Sequence, residues 1–377
     1  MFRTDRIAAA LALVGYAGVL LGGLGGPVNA QSRAKAKPPV KAKPAAAKPP
    51  ANKGKQGPIV LGTTQLPGDF GKFGQTYTIG KYAPLNFTLT SARYTVDRFS
   101  VGNNVWTPKA DEKLLVLKFT VHNPRPQETN LSWSSFRFTA VDAQDTNREY
   151  IQAIVRTGQY GEGLNVNLKP AQKVECEVAI LVAANGVTPK LIVQRDADAP
   201  VVRYDLRGKV DAVPAPFLDP AATDGATTRN EVPATAGTYY PLAALDVKLE
   251  STGSLAEKVP SRELKPGYRN FTATFSVKNP TPVKRNYYWS HWEAELRDAD
   301  GEKVPYTQAL LKASRLETGA GGDLEPGEEA RFRFFFPLPE NVQAKTLYLR
   351  DRSWTGGKGR VLVFDLSTAT AAPAQGE

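Results

Sequence analysis

One cysteine, two histidines, scattered carboxylates and a run of aromatic residues are the side chains with which this 377-residue chain could do chemistry. Cys176 lies in Val174-Glu-Cys-Glu-Val178, where strand alternation turns it the same way as the two valines. The pattern predicts a buried structural thiol. A single cysteine excludes an intrachain disulfide and leaves pairing between chains open. His122 ends an apolar alternation and His291 lies between two tryptophans. Neither has a partner at metal-ligand spacing, and a zinc or copper centre needs several nitrogen or sulfur ligands. Asp298, Asp300 and Glu302 converge on one stretch, but the position where a calcium loop carries its bidentate Glu is Ala309. That stretch reads as a turn, and no metal or cofactor is expected. A glycosidase needs two carboxylates at a set separation, which sequence alone does not pair. No nucleophile elbow, phosphate loop or dinucleotide fingerprint occurs. Gly356-Gly-Lys-Gly-Arg360 lacks the Lys-Ser/Thr ending and reads as a strand connection. The expectation is a protein without catalytic residues, not an enzyme.

The best candidate contact surface is Tyr287-Tyr-Trp-Ser-His-Trp292. In one continuous strand, Tyr287, Trp289 and His291 share a face, and Tyr288, Ser290 and Trp292 share the other. A sandwich strand needs only one apolar face. Trp133 occupies the place of Trp289 in a second copy of the pattern, which assigns Trp289 to the core and leaves Tyr288 and Trp292 outward. Phe136, at the place of Trp292, argues the other way. Outward rings would serve a protein partner or stack on a sugar. The alternative is that they pack under a loop or against the neighbouring domain. Trp106 and Trp354, in connecting segments, are further candidates.

The elements that would position these residues come from an internal repeat. Phe119-Thr-Val-His-Asn-Pro124 returns as Phe275-Ser-Val-Lys-Asn-Pro280. Trp133 and Trp289, Asp142 and Asp298, Tyr150 and Tyr306, and Leu168-Lys-Pro170 and Leu324-Glu-Pro326 keep the same offset. A constant offset marks two copies of one domain. Leu115, Leu117, Phe119 and Val121 alternate with polar or smaller neighbours, as do Phe271, Ala273, Phe275 and Val277, which predicts half-buried strands. Further strands are read at Phe136 to Val141, Trp292 to Leu296, Val174 to Leu181, Ala330 to Phe336, Lys190 to Val193, Thr346 to Leu349, Val201 to Leu206 and Arg360 to Leu366. About seven strands per copy, with Gly/Pro-rich turns and no long helical period, point to an all-β fold of two tandem β-sandwich domains; a barrel is the alternative.

The strand ending in Val-x-Asn (Val121 to Asn123, Val277 to Asn279), the turn Asp298 to Gly301, the Leu-Glu-Pro-Gly-Glu turn Leu324 to Glu328 and the strand Lys190 to Val193 resemble a bacterial extracellular immunoglobulin-like domain family of unknown function, of the telokin-like type. The first copy departs from it with Ala171-Gln172, and Asp145 is not followed by glycine. The resemblance covers both units. It implies an exported accessory domain and assigns no catalytic residue.

The expected organisation is a signal peptide over 1–30, a basic Ala/Lys/Pro arm with its lead-in over 31–73, a sandwich over 74–209, a linker over 210–236, a second sandwich over 237–366 and a tail over 367–377. Arg3 and Arg6, an apolar run, and Val28-Asn-Ala30 have the layout of a secretory signal. The run is also long enough for an uncleaved anchor, the one route to membrane attachment. Residues 31–57 carry Arg33, Lys35, Lys37, Lys41, Lys43, Lys48, Lys53 and Lys55 and no acidic residue. That composition cannot bury a core and predicts a solvated, self-repelling spacer, or adhesion to an anionic surface. The formal charge of +11 therefore belongs mostly to the arm, so nucleic acid is not an expected partner. The sequence favours an exported, non-enzymatic module that contacts an envelope or extracellular protein or polymer. A carbohydrate-binding module and, behind it, a hydrolase are the alternatives.

Overall fold

The structure, a computed structural model, describes residues 69–149, 153–197, 200–255, 263–304, 310–312, 315–319, 321–352 and 359–367. The signal segment, the basic arm and Trp354 lie outside the described residues. Apart from one 3-10 turn at Trp289–His291, the named elements are strands.

The first half builds a five-stranded sheet in the order Thr76–Ile79, Leu85–Thr95, Glu112–His122, Lys173–Ala183, Val155–Arg156, and a four-stranded sheet in the order Val202–Asp205, Lys190–Gln194, Arg137–Val141, Asn147–Glu149. The second half repeats the plan. Its six-stranded sheet centres on Leu245–Leu255, Tyr268–Lys278 and Glu329–Pro339, and its four-stranded sheet runs Glu231–Ala234, Val361–Asp365, Ala344–Asp351, Trp292–Asp298. The named strands pair antiparallel except Glu231–Ala234, which lies parallel to Val361–Asp365. Inward residues of each long strand meet across the two sheets. Phe87 and Phe119 pack on Phe136 and Phe138 in the first region, and Phe275 and Phe332 on Phe364 and Trp292 in the second. These rings are buried, and the burial is what makes each pair of sheets stable.

Both copies carry the same irregularity. The pairing shifts register between Leu89 and Ser91 in one and between Leu249 and Ser251 in the other, inserting Thr90 or Glu250 as a bulge. Leu114 and Val116, on the outer face of the first large sheet, are nevertheless buried. The hairpin Phe99–Val101/Asn104–Trp106 lies over them and forms a second small cluster with Ala153, Val155 and Ala179.

The repeated motifs act as pins. Asn123 donates through Nδ2 to Gln127 O (2.8 Å) and Leu168 O (2.8 Å), and Asn279 to Val283 O (2.8 Å) and Leu324 O (2.9 Å). Their backbones close on the Leu-x-Pro turn: Asn123 N on Gln172 O and Asn279 N on Glu328 O, each 3.0 Å. That turn needs a left-handed residue, which is Gly327 (φ 81) in one copy and Ala171 (φ 61) in the other. A Cβ costs about 1–2 kcal/mol there. Ala171→Gly is therefore expected to stabilise the protein by about 0.5–1 kcal/mol after the added freedom of the unfolded chain is counted. Urea melts would show it, and a loss of stability would contradict it. At the Asp turns, Asp145 (φ 58) takes the place of Gly301 (φ 83), so the first copy keeps the turn without the glycine.

The stretch 210–236, expected as a linker, is packed rather than loose. Val213, Phe217, Ala226 and Val232 are buried, and Glu231–Ala234 is a strand of the second region. Lys113 of the first region, buried without exposed surface, donates through Nζ to Ala184 O (3.1 Å), Gly186 O (2.6 Å) and Ala226 O (2.6 Å). Its ammonium also stands 4.6 Å from the centre of the Tyr94 ring.

Candidate functional site

The aromatic run is not one strand. Arg285–Tyr288 ends, the 3-10 turn Trp289–His291 follows, and a new strand starts at Trp292. The turn resets the two-residue alternation, so Tyr287 and Trp292 both point inward, at 5% and 2% exposure. Trp292 stacks on Phe332 at 4.8 Å. It is a core residue and not a contact residue, as Phe136 at the matching place, also buried, had argued. Tyr288 is 45% exposed, with its ring edge-on to His291 at 5.4 Å and against Gly321, where a Cβ would come within 3.2 Å of it. The side chain of Trp289 lies outside the described residues. Trp133, expected inside by analogy with it, is 46% exposed at the end of the matching two-stranded ribbon Thr129–Ser132/Asn165–Leu168. Trp106 is half-buried against the Leu114/Val116 cluster.

The remaining reactive residues have structural surroundings. Cys176 is buried, and burial pushes its thiol up to about 12, which removes the thiolate that reactivity requires. His122 Nδ1 lies 3.0 Å from Asn86 Nδ2. Burial lowers the pKa of His122 and of His291. Asp298 Oδ1 accepts from Asp300 N (3.0 Å) and Glu302 N (2.8 Å), and Asp142 Oδ1 does the same for Gln144 N and Thr146 N. The oxygens of that turn serve the backbone in both copies. Among the described residues, no group of three or more His, Cys, Asp or Glu could hold a metal ion.

A concave surface lies elsewhere, where the two regions of one compact unit meet. Three arginines cross the joint. Arg98 is nearly buried and donates to the Asp246 carboxylate, Ala244 O (3.4 Å) and Leu245 O (3.4 Å), with its Nε 3.0 Å from Asp97 Oδ1. Arg285 reaches Asn103 O at 2.9 Å. Arg360, from the glycine-rich stretch read as a plain connector, is 6% exposed and donates to Pro108 O (3.3 Å) and Glu112 O (2.5 Å). Burial lowers its pKa to about 10. Beside the Arg98 clamp runs a cleft with two lobes of about 260 and 630 Å³, both lined by Tyr160, Asp246, Pro280 and Pro282. Glu177 and Arg93 line the smaller lobe. Tyr160 donates its hydroxyl to Glu177 Oε2 at 3.2 Å. Burial first, and then that carboxylate, raise the tyrosine's pKa. Sequence reasoning missed this cleft. Its walls come from segments far apart in the chain, and no local pattern joins them.

No protein-family model matches the chain, and neither does any curated protein. Solved structures resemble parts of it. An uncharacterised β-sandwich protein from Clostridium difficile aligns at 14% identity over 36% of this chain and 93% of its own, with a TM-score of 0.26. A secreted protein from Mycobacterium tuberculosis aligns at 15% identity over 36% and 97%, also with a TM-score of 0.26. A lipoprotein candidate from Bacillus subtilis aligns at 13% identity over 35% and 39%, again at 0.26.

Proposed function

We propose that this chain is an exported, non-enzymatic module of the cell envelope or extracellular space that binds a protein partner through the aromatic ends of its small two-stranded ribbons. The carrying observation is that matching two-stranded ribbons of the two copies, each built from strands far apart in the chain, each carry a large exposed ring at one end, Trp133 in one and Tyr288 in the other. Large rings with few rotatable bonds are the usual anchors of protein contacts. Phe70, Tyr82 and Tyr268 are exposed as well but stand outside these ribbons. The repeated residues themselves, Asn123 and Asn279 or Asp142 and Asp298, support this reading from the other side, because their polar atoms serve turns. Export rests on the basic, apolar and small-residue layout of residues 1–30, and the arm over 31–57 would space the sandwiches from an anionic surface or hold them against it.

The test is co-sedimentation of the full chain with its own envelope fraction, across salt steps, beside the double variant Trp133→Ala/Tyr288→Ala. Loss of two anchor rings is expected to weaken retention about tenfold. Retention equal to the parent would remove the ribbon ends from the contact. Retention that disappears with salt in both proteins would assign it to the arm alone.

A further inference from the structure

The smaller lobe of the cleft holds a carboxylate that the fold does not require. Glu177 is 3% exposed, on the strand Lys173–Ala183. Among the described residues its one ion pair is to Arg93, a rim side chain 45% exposed, at 3.8 Å. That distance is too long for a hydrogen bond. Lys118 stands opposite it in the ladder. At the matching register position of the second copy the residue is Arg333, opposite Thr274. The same sheet therefore accepts an arginine there, and the carboxylate is particular to the first copy and to the cleft. A buried carboxylate is costly unless it is paired and hydrogen-bonded. One hydrogen bond from Tyr160 and one distant guanidinium supply little of that pairing.

The charge of the lobe has the same sign. Its lining includes two arginines, Arg93 and Arg98, and three carboxylates, Asp97, Glu177 and Asp246. Arg98 is held between Asp97 and Asp246 and does not reach Glu177, whose one ion-pair partner among the described residues is Arg93, and the lining as a whole carries one net negative charge. Tyr160, with Pro280 and Pro282 from the second sandwich, also lines the lobe. An aromatic face beside a desolvated carboxylate is the setting in which an organic cation is held by both charge and ring.

We propose that this lobe binds a cationic group, a primary ammonium or a guanidinium, which pairs with Glu177 and lies against Tyr160. The lobe's volume of about 260 Å³ suits one such side chain or a small amine. Arg93 is the competitor that the incoming cation displaces from the carboxylate.

Calorimetric titration of the full chain tests this with agmatine, which carries both cations, with a capped lysine tripeptide, and with 1-butanol as a neutral control. Binding at roughly millimolar Kd is expected for one small ligand. Glu177→Gln should weaken it at least about tenfold, and Arg93→Ala should tighten it about threefold by removing the competitor. Tighter binding of the tripeptide would assign the lobe to a protein side chain, and tighter binding of agmatine to a free amine. Either result supports the proposal. Equal binding to Glu177→Gln, weaker binding to Arg93→Ala, equal binding of 1-butanol, or no heat from either cation would each overturn it.

Discussion

Alanine in place of Asn123 or Asn279 is expected to cost about 3 kcal/mol of stability, far more than a surface asparagine would. Each side chain is fully buried and joins the strand it ends to two other turns. Its loss leaves Gln127 O, Leu168 O and Lys169 O without that donor in one copy, and Val283 O and Leu324 O in the other. Its carbonyl oxygen goes too, which in the first copy accepts from Arg125 N at 3.1 Å and in the second from Thr281 N at 3.0 Å. Aspartate is the sharper variant. It keeps the shape and one acceptor but replaces the two N–H donors by a carboxylate oxygen facing the same carbonyls, so the loss should be at least as large as with alanine. Urea denaturation of Asn123→Asp and Asn279→Asp measures this, and a change under about 0.5 kcal/mol in both would refute the pinning role.

Lys113→Met should be at least as damaging, at about 3 kcal/mol or more. Methionine fills the space but faces three carbonyls with no donor. Two of them belong to the turn at Ala184 and Gly186, and the third, Ala226 O, to the connector. The connector should loosen first, which proteolysis within residues 210–236 would detect. The same lysine sets a pH dependence. Burial lowers its pKa to about 8, against a partial opposing pull from Asp224, while an unfolded lysine titrates near 10.4. Between about pH 8 and 10.5 the unfolded chain binds more protons than the folded one at this site. Stability of the parent relative to Lys113→Met should therefore rise with pH across that window. Melts of both proteins at pH 7.5 and 9.5 compare it directly, and a stability difference that falls with pH would exclude the burial effect.

Much of the scaffold was legible in the residues. Strand alternation over Leu115 to Val121 and Phe271 to Val277 marked the inner faces, and Asn-Pro with Leu-x-Pro marked the turns, because both signals are local. Trp292 was misplaced because three residues of 3-10 turn change which face follows, and nothing in Trp-Ser-His announces that turn. The useful signal was the other copy, where Phe136 held the same place. The connector's Ala, Pro, Asp and Thr composition reads as spacer. Its packing depends on Lys113, about a hundred residues away in sequence, and no composition window includes that partner. The same holds for the cleft. Glu177 and Pro282 become neighbours only through tertiary packing, and the one sequence clue was that Glu177 and Arg333 differ at matched positions.

The arginine-bridged joint has a consequence for avidity. Tandem domains on a loose tether search for a second binding site with an effective concentration set by tether length. Here Arg98, Arg285 and Arg360 tie one sandwich to the other, and a packed connector replaces the tether. The span between Trp133 and Tyr288 is then a fixed ruler. A partner that repeats its epitope at that spacing is held at both ends with little further loss of entropy, and one that repeats it at another spacing is held at one.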